Sequence, residues 1–230
     1  IMFVARMLSK KQDEIKSFKT AFLPIVLPVL GICGLILPAN FSTAAVLFIS
    51  CCFLMFIGRI NMKYILGLGG IAIVCFGLFI VVSFAIGKTG RIETWKSRIE
   101  RFASDDNQDT YQTDQAKIAI AGGGMFGRFP GNSKARNYLP HPYSDFIYAI
   151  IVEEYGLIGG ILIIFLYIWL FFRVIRFIHH SPMAFGTLLA IGCAFSLVFQ
   201  AMINMAVAVN LFPVTGQPLP MLSMGGTSIW

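Results

Sequence analysis

Charge is what this 230-residue chain has least of: Asp, Glu, Lys and Arg together make 13% of it. A disulfide framework is missing as well. The five cysteines, Cys33, Cys51, Cys52, Cys75 and Cys193, all lie inside apolar runs, so they read as packing residues rather than extracytoplasmic bridges. No C-x-x-C pair or Cys/His spacing marks a metal site, and His179 and His180 stand alone beside a basic helix end. What fills the chain instead is apolar: hydrophobic residues make 57%, Phe alone numbers 22, and mean hydropathy is +0.77. That balance excludes a disordered chain, a collagen-like repeat and a nucleic-acid-binding domain. A small soluble protein has too little interior to hide so much apolar surface, so the solvent is lipid.

Five apolar runs can be marked, 21–37, 44–57, 64–86, 146–172 and 183–212. Crossing a hydrocarbon core takes about 20 helical residues, which the last three reach alone and the first two reach with their flanks. The bilayer admits no unpaired backbone, so each run is expected as a transmembrane helix of an all-α polytopic bundle. Pro24 and Pro28 would kink the first run without forbidding it. Arg6, Lys10, Lys11, Lys16 and Lys19 lie in an amphipathic segment, 1–20, before the first run. Arg59 and Lys63 join the second to the third, and Arg173, Arg176 and the His pair join the fourth to the fifth. All three clusters fall on one side, which the positive-inside rule makes cytoplasmic. The opposite side then receives a large, partly helical loop, 87–145, and a Pro/Gly-rich re-entrant loop, 213–226. A basic stretch after Ile1 and a fresh apolar run at 227–230 lead us to expect an internal piece of a larger membrane protein.

Half of the 18 Lys and Arg sit in the large loop, which, being long, is exempt from the positive-inside rule. Most of these charges read as a solvated face. A sharper reading applies to Lys117, Arg128, Lys134 and Arg136, which flank Gly122-Gly123-Gly124-Met125-Phe126-Gly127. Glycine lets backbone N–H groups approach a ligand closely, and neighbouring cations suit a phosphate or pyrophosphate. Further on, Asp145 is the last polar residue before the fourth run, with Glu153 and Glu154 two turns into it. A carboxylate inside a span costs about 2.5 to 3.5 kcal/mol to insert, so it faces a polar cavity or a partner. At about 100° per residue Glu153 shares a side with Asp145 and Glu154 does not. For the two glutamates, a structural ion pair with a buried Arg or Lys is the competing expectation.

Several segments resemble the SEDS family of shape, elongation, division and sporulation proteins (FtsW, RodA, SpoVE). They are Arg98-Ile99-Glu100-Arg101-Phe102, the glycine run, Tyr138-Leu139-Pro140 with Ser144-Asp145-Phe146-Ile147, Glu153-Glu154-Tyr155-Gly156, Asn204, and Pro213 through Ser228. The last is close to an LPxTGxxLPxxSxGGxS signature. Gly131-Asn132-Ser133 favours the FtsW-like branch, and the whole is similar to spans five to nine and the start of ten. Departures occur where Ala39-Asn40-Phe41-Ser42-Thr43 replaces a Pro-Asp turn, and at Phe129, His141 and Tyr143.

The resemblance implies a peptidoglycan glycosyltransferase of the bacterial cytoplasmic membrane, at the division septum, that polymerises lipid II and releases undecaprenyl pyrophosphate. Asp145 would be the catalytic base or, alternatively, a ligand of a divalent cation such as Mg or Mn. Lys117, Arg128, Lys134, Ser144, Gly123, Gly124, Ser223, Gly225 and Gly226 would bind substrate, with Glu153 and Glu154 in support. A class B penicillin-binding protein and other divisome membrane proteins are the implied partners. Two other readings stand beside it: a transporter of lipid-linked precursor, motivated by Glu153 and Glu154, and a scaffold that docks a division partner.

Overall fold

A computed structural model describes residues 1–85, 110–138, 143–178 and 183–224. The stretch 86–109, which holds the Arg98–Phe102 motif, lies outside them, as do His141, His179, His180, Gly225 and Gly226. Every regular element among the described residues is helical: α1 (Met2–Lys10), α2 (Leu23–Ile36), α3 (Phe41–Ile57), α4 (Met62–Ala85), α5 (Thr110–Gly123), α6 (Ile147–Ile178) and α7 (Ala184–Ala208). The apolar runs are therefore helices, as the bilayer demands of any backbone that crosses it. Among the described residues three segments, Phe18–Ile36, Ile147–Ile178 and Ala184–Ala208, combine the length and the hydropathy to span a membrane, and Phe41–Ile57 and the Met62–Cys75 part of α4 are apolar as well.

The chain divides into two compact units, Ile1–Trp95 with Arg173–Ser196, and Lys96–Phe172 with Leu197–Trp230. In the first, amphipathic α1 turns Val4, Ala5 and Leu8 into a core with Ile25 of α2 and Leu54 and Met55 of α3. A π-helical turn, Phe18–Phe22, leads into α2; Pro24 sits in its first turn, where a missing N–H is tolerated, and Pro28 lies inside it. Asn40 Oδ1 accepts a hydrogen bond from Thr43 N and caps α3. The amide that departs from the family pattern thus does the capping work that an aspartate would do about equally well. Phe18, Phe22 and Tyr64 form an aromatic cluster with centroids 5.2–5.4 Å apart. Cys33 and Cys51 are buried, but Cys75 and Cys193 are exposed on apolar helices, so packing within the chain accounts for only part of the cysteine set.

The second unit carries the polar chemistry. Small residues on α5, Ala116 and Ala119, join Ala135 and Ala149 around Phe146, which is 2% exposed. A second core gathers Tyr148, Val152 and Tyr167 of α6 with Ala201, Met205 and Ala208 of α7 and Leu219. The α6 segment is not one continuous helix: Gly156, at φ 73°, breaks it. That break separates residues 147–155 from 157–178. The latter 22 residues are about 33 Å long at 1.5 Å per residue, enough to cross a bilayer unaided.

This corrects two expectations from the sequence. Asp145 lies before α6, as expected, but α6 starts only at Ile147, so the helical wheel that put Asp145 and Glu153 on one side does not extend to Asp145. Glu153 and Glu154 belong to the short piece ahead of the break rather than to the uninterrupted span.

Candidate active site

The glycine run and the broken helix fit each other backbone to backbone. A Cβ on Gly156 would stand 2.2 Å from the Met125 carbonyl oxygen, one on Gly127 2.2 Å from that of Glu154, and one on Gly123 2.2 Å from that of Val152. No side chain can occupy such gaps. Leu157 N donates to Gly124 O (2.9 Å) and Arg128 N to Glu153 O (3.0 Å), so the loop takes up backbone groups that the break leaves without helical partners. Gly123 and Gly127 are thus required by close packing against α6, a demand that asks for the same residue as a phosphate cradle. Gly124, at φ 57°, has open space where a Cβ would project.

Glu153 sits at the centre of this junction, 2% exposed. Its carboxylate accepts from Arg128 Nη1 (3.1 Å), Ser133 Oγ (2.5 Å), Lys134 N (3.1 Å) and Ala135 N (3.2 Å). Burying a carboxylate is costly unless charge and hydrogen bonds compensate it, and here both do. The ion pair that competed with a functional reading of the glutamates is therefore present for Glu153, with Arg128 as the cation. Arg128 also donates from Nε to Gly122 O (3.1 Å), and its side chain is 38% exposed. Glu154 is half-buried.

Asp145 has a different setting. Its carboxylate is half-buried, Oδ1 accepting from Ser144 Oγ (2.8 Å). Gly216, at φ 64°, turns its Cα toward Oδ2, a Cβ there standing 3.8 Å from that oxygen. The backbone on either side is held firmly. Ser144 O accepts from Ser223 Oγ (2.6 Å), Asp145 O accepts from Asn204 Nδ2 (2.9 Å), and Met224 N donates to Tyr143 O (2.8 Å). Immediately after Asp145, the Phe146 ring fills its alanine-lined socket. The loop that supplies Ser223 is itself tied down, with Asn204 Nδ2 donating to Gln217 O (2.7 Å), Gln200 Nε2 to Pro218 O (3.2 Å) and Tyr167 Oη to Pro220 O. Ser223 Oγ also accepts from Leu219 N (2.7 Å).

Asp145, Ser144 and Ser223 are thus brought together. Lys117 is not part of that cluster: it is exposed on α5 and paired with Asp114 (3.3 Å). The Lys134 side chain is exposed while its backbone serves Glu153. Sequence reasoning gave no role to Ser133, Asn204 or Gly216. Their motifs were visible, but nothing in the spacing says which backbone group a distant side chain will reach. Among the described residues no group of three or more His, Cys, Asp or Glu is arranged to hold a metal ion. Among the described residues, Asp145 is the side chain of the Asp145–Ser144–Ser223 cluster that could offer a carboxylate to a divalent cation, for which oxygen ligands are the rule.

The fold defines a polytopic helical membrane protein that presents one anchored, half-buried carboxylate. The family model described as a cell cycle protein, FtsW/RodA/SpoVE, matches residues 1–230, and the chain belongs to that family. Among its relatives are stage V sporulation protein E of Bacillus subtilis, 34% identical over all of this chain and 62% of that protein, and a probable peptidoglycan glycosyltransferase FtsW of Trichlorobacter lovleyi, 35% identical over all of this chain and 59% of that one. This chain therefore spans about three fifths of the length of those relatives. Its fold is similar to a chain of a peptidoglycan synthase complex that coordinates polymerization and crosslinking (TM-score 0.71, 21% identity, 99% of this chain and 63% of that one). It is also similar to the rod shape determining protein RodA of Thermus thermophilus (TM-score 0.60, 21% identity, 99% and 58%).

Proposed function

We propose that the chain carries the sugar-activating part of a peptidoglycan glycosyltransferase that polymerises lipid II into glycan strands during cell division and releases undecaprenyl pyrophosphate. The observation that carries this reading is Asp145, a carboxylate left half-buried while its backbone is anchored on both sides. A sugar hydroxyl is a weak nucleophile, and a positioned base is worth roughly 10²- to 10⁴-fold. The C4 hydroxyl of the incoming GlcNAc gives its proton to Asp145 as its oxygen bonds to C1 of the MurNAc at the growing end. The C1–O bond to the pyrophosphate breaks, and the lipid pyrophosphate leaves with that electron pair.

The leaving charge calls for cations. Lys117 and Lys134 present exposed side chains for it, and Arg128 contributes only what its bonds to Glu153 and Gly122 leave free. Ser144 orients the carboxylate, Ser223 the segment, and Gly124, Gly225 and Gly226 allow close approach of the substrate. In the alternative role for Asp145, in which it does not take the proton, it would hold Mg²⁺ or Mn²⁺, and the cation would supply that charge compensation.

The names of the FtsW relatives support the activity, and the likeness to a chain of a peptidoglycan synthase complex supports a transpeptidase partner; that the partner is a class B penicillin-binding protein and the place the septum is what the family resemblance implies. The transporter reading rested on glutamates within a span. The break at Gly156 and the four donors on Glu153 remove that ground. The test uses the full-length protein, purified with its transpeptidase and given lipid II. Asp145→Asn is expected to cut glycan-strand synthesis by 10²-fold or more; synthesis at the parental rate would overturn the assignment.

A further inference from the structure

Asn204 lies 59 residues beyond Asp145 in sequence, on α7, and is 1% exposed. Its two amide hydrogens go to two carbonyl oxygens on different segments, Asp145 O at 2.9 Å and Gln217 O at 2.7 Å. Both acceptors are carbonyls, which fixes the amide orientation, because the flipped amide would set oxygen against oxygen. One side chain thereby joins the helix, the segment that bears Asp145 and the turn that contains Gly216, whose Cα faces Asp145 Oδ2. Ser223 performs the adjoining task at Ser144 O.

We propose that Asn204 is a positioning residue for the reaction: it sets the height of the Asp145 carboxylate against Gly216 and the acceptor sugar by holding the Asp145 carbonyl, and it touches no substrate itself. The inference rests on the glycosyltransferase reading given above. Buried amides usually satisfy both ends, yet Asn204 Oδ1 is buried with no hydrogen-bond partner among the described residues. The contribution therefore comes from the Nδ2 end, and a variant without that donor releases the carbonyl.

The test uses the full-length protein with its transpeptidase and lipid II, and compares Asn204→Ala, Asn204→Asp and Ser223→Ala with Asp145→Asn. Misplacement of a reacting group by about 1 Å costs on the order of 10²-fold in rate. We expect kcat, measured per folded protein, to fall roughly 10- to 100-fold in Asn204→Ala, with KM for lipid II close to parental and the melting temperature lowered by the loss of two buried hydrogen bonds. Hydrogen exchange, which needs no substrate, should rise in peptides covering 143–150 and 213–224. Asn204→Asp, which keeps the shape but removes the donor, should lose as much turnover as Asn204→Ala. If both Asn204 variants keep the parental kcat while Asp145→Asn is inactive, the positioning role is wrong and the activity assignment stands. If Asp145→Asn is active, the activity assignment itself fails. Should Asn204→Ala not accumulate, Ser223→Ala carries the same kcat expectation, and loss of protein in both assigns the pair to folding and overturns the proposal.

Discussion

Two carboxylates eight residues apart receive opposite treatment. Glu153 is buried and surrounded by donors: one guanidinium, one hydroxyl and two backbone N–H groups. Asp145 is half-buried and takes one hydroxyl on one oxygen, while the strong restraints fall on its backbone. The difference separates two uses of an acid. A carboxylate whose lone pairs are committed to four donors stabilises a junction and has no free oxygen to present to a substrate. One that is held by its main chain keeps an oxygen for a reacting proton while losing the freedom to wander. The same contrast applies to the glycines, since Gly123, Gly127 and Gly156 permit a junction and Gly216 leaves room beside a reactive group.

Variants at the junction should act on folding, and variants at Asp145 on turnover. The largest effect is expected from Gly156→Ala, which forces a side chain to φ 73° and into a carbonyl 2.2 Å away. A loss of more than about 3 kcal/mol, read as failure of the full-length protein to accumulate or as collapse of its melting transition, follows from strain and overlap together. Normal accumulation would mean that the loop and the helix are not in backbone contact. Glu153→Ala comes next. It strips the acceptor from four donors, one of them a cation, and should cost about 3 kcal/mol in thermal or denaturant stability. A neutral result would show that the buried pair is dispensable. Ser133→Ala removes one of the four bonds, and with it the acceptor of Arg136 N, and should cost about 2 kcal/mol, with Arg128 and the two N–H groups still on Glu153. Lys117→Ala should change stability by less than about 0.5 kcal/mol, because its partner Asp114 is equally exposed. If turnover on lipid II falls while stability holds, Lys117 serves the leaving pyrophosphate; if neither moves, it belongs to a solvated face.

The helices were legible in the sequence because the bilayer imposes long apolar runs: 44–57 lies on α3, and all but the first residue of 146–172 lies within the bounds of α6. The break in α6 was not, since Leu157 and Ile158 continue the apolar run past Gly156 and hydropathy carries no mark for one left-handed residue. The acid proposed to react could be picked out, because Asp145 is a polar residue at the edge of an apolar run beside a specific motif. Its supports could not, for Asn204 reaches it across 59 positions and Ser223 across 79. The glycine run was ambiguous for a related reason. Close approach of backbone to a phosphate and close approach of backbone to a broken helix ask for the same residue, and only the packing distinguishes them.

The most direct test of the contrast is a paired measurement on the full-length protein with its transpeptidase, recording glycan-strand synthesis and melting temperature for Asp145→Asn and Glu153→Gln together. The account predicts that Asp145→Asn melts like the parent and makes almost no strands, whereas Glu153→Gln melts lower and retains activity in proportion to the protein that remains folded. Strand synthesis at the parental rate by Asp145→Asn, or a parental melting temperature with lost synthesis in Glu153→Gln, would contradict it.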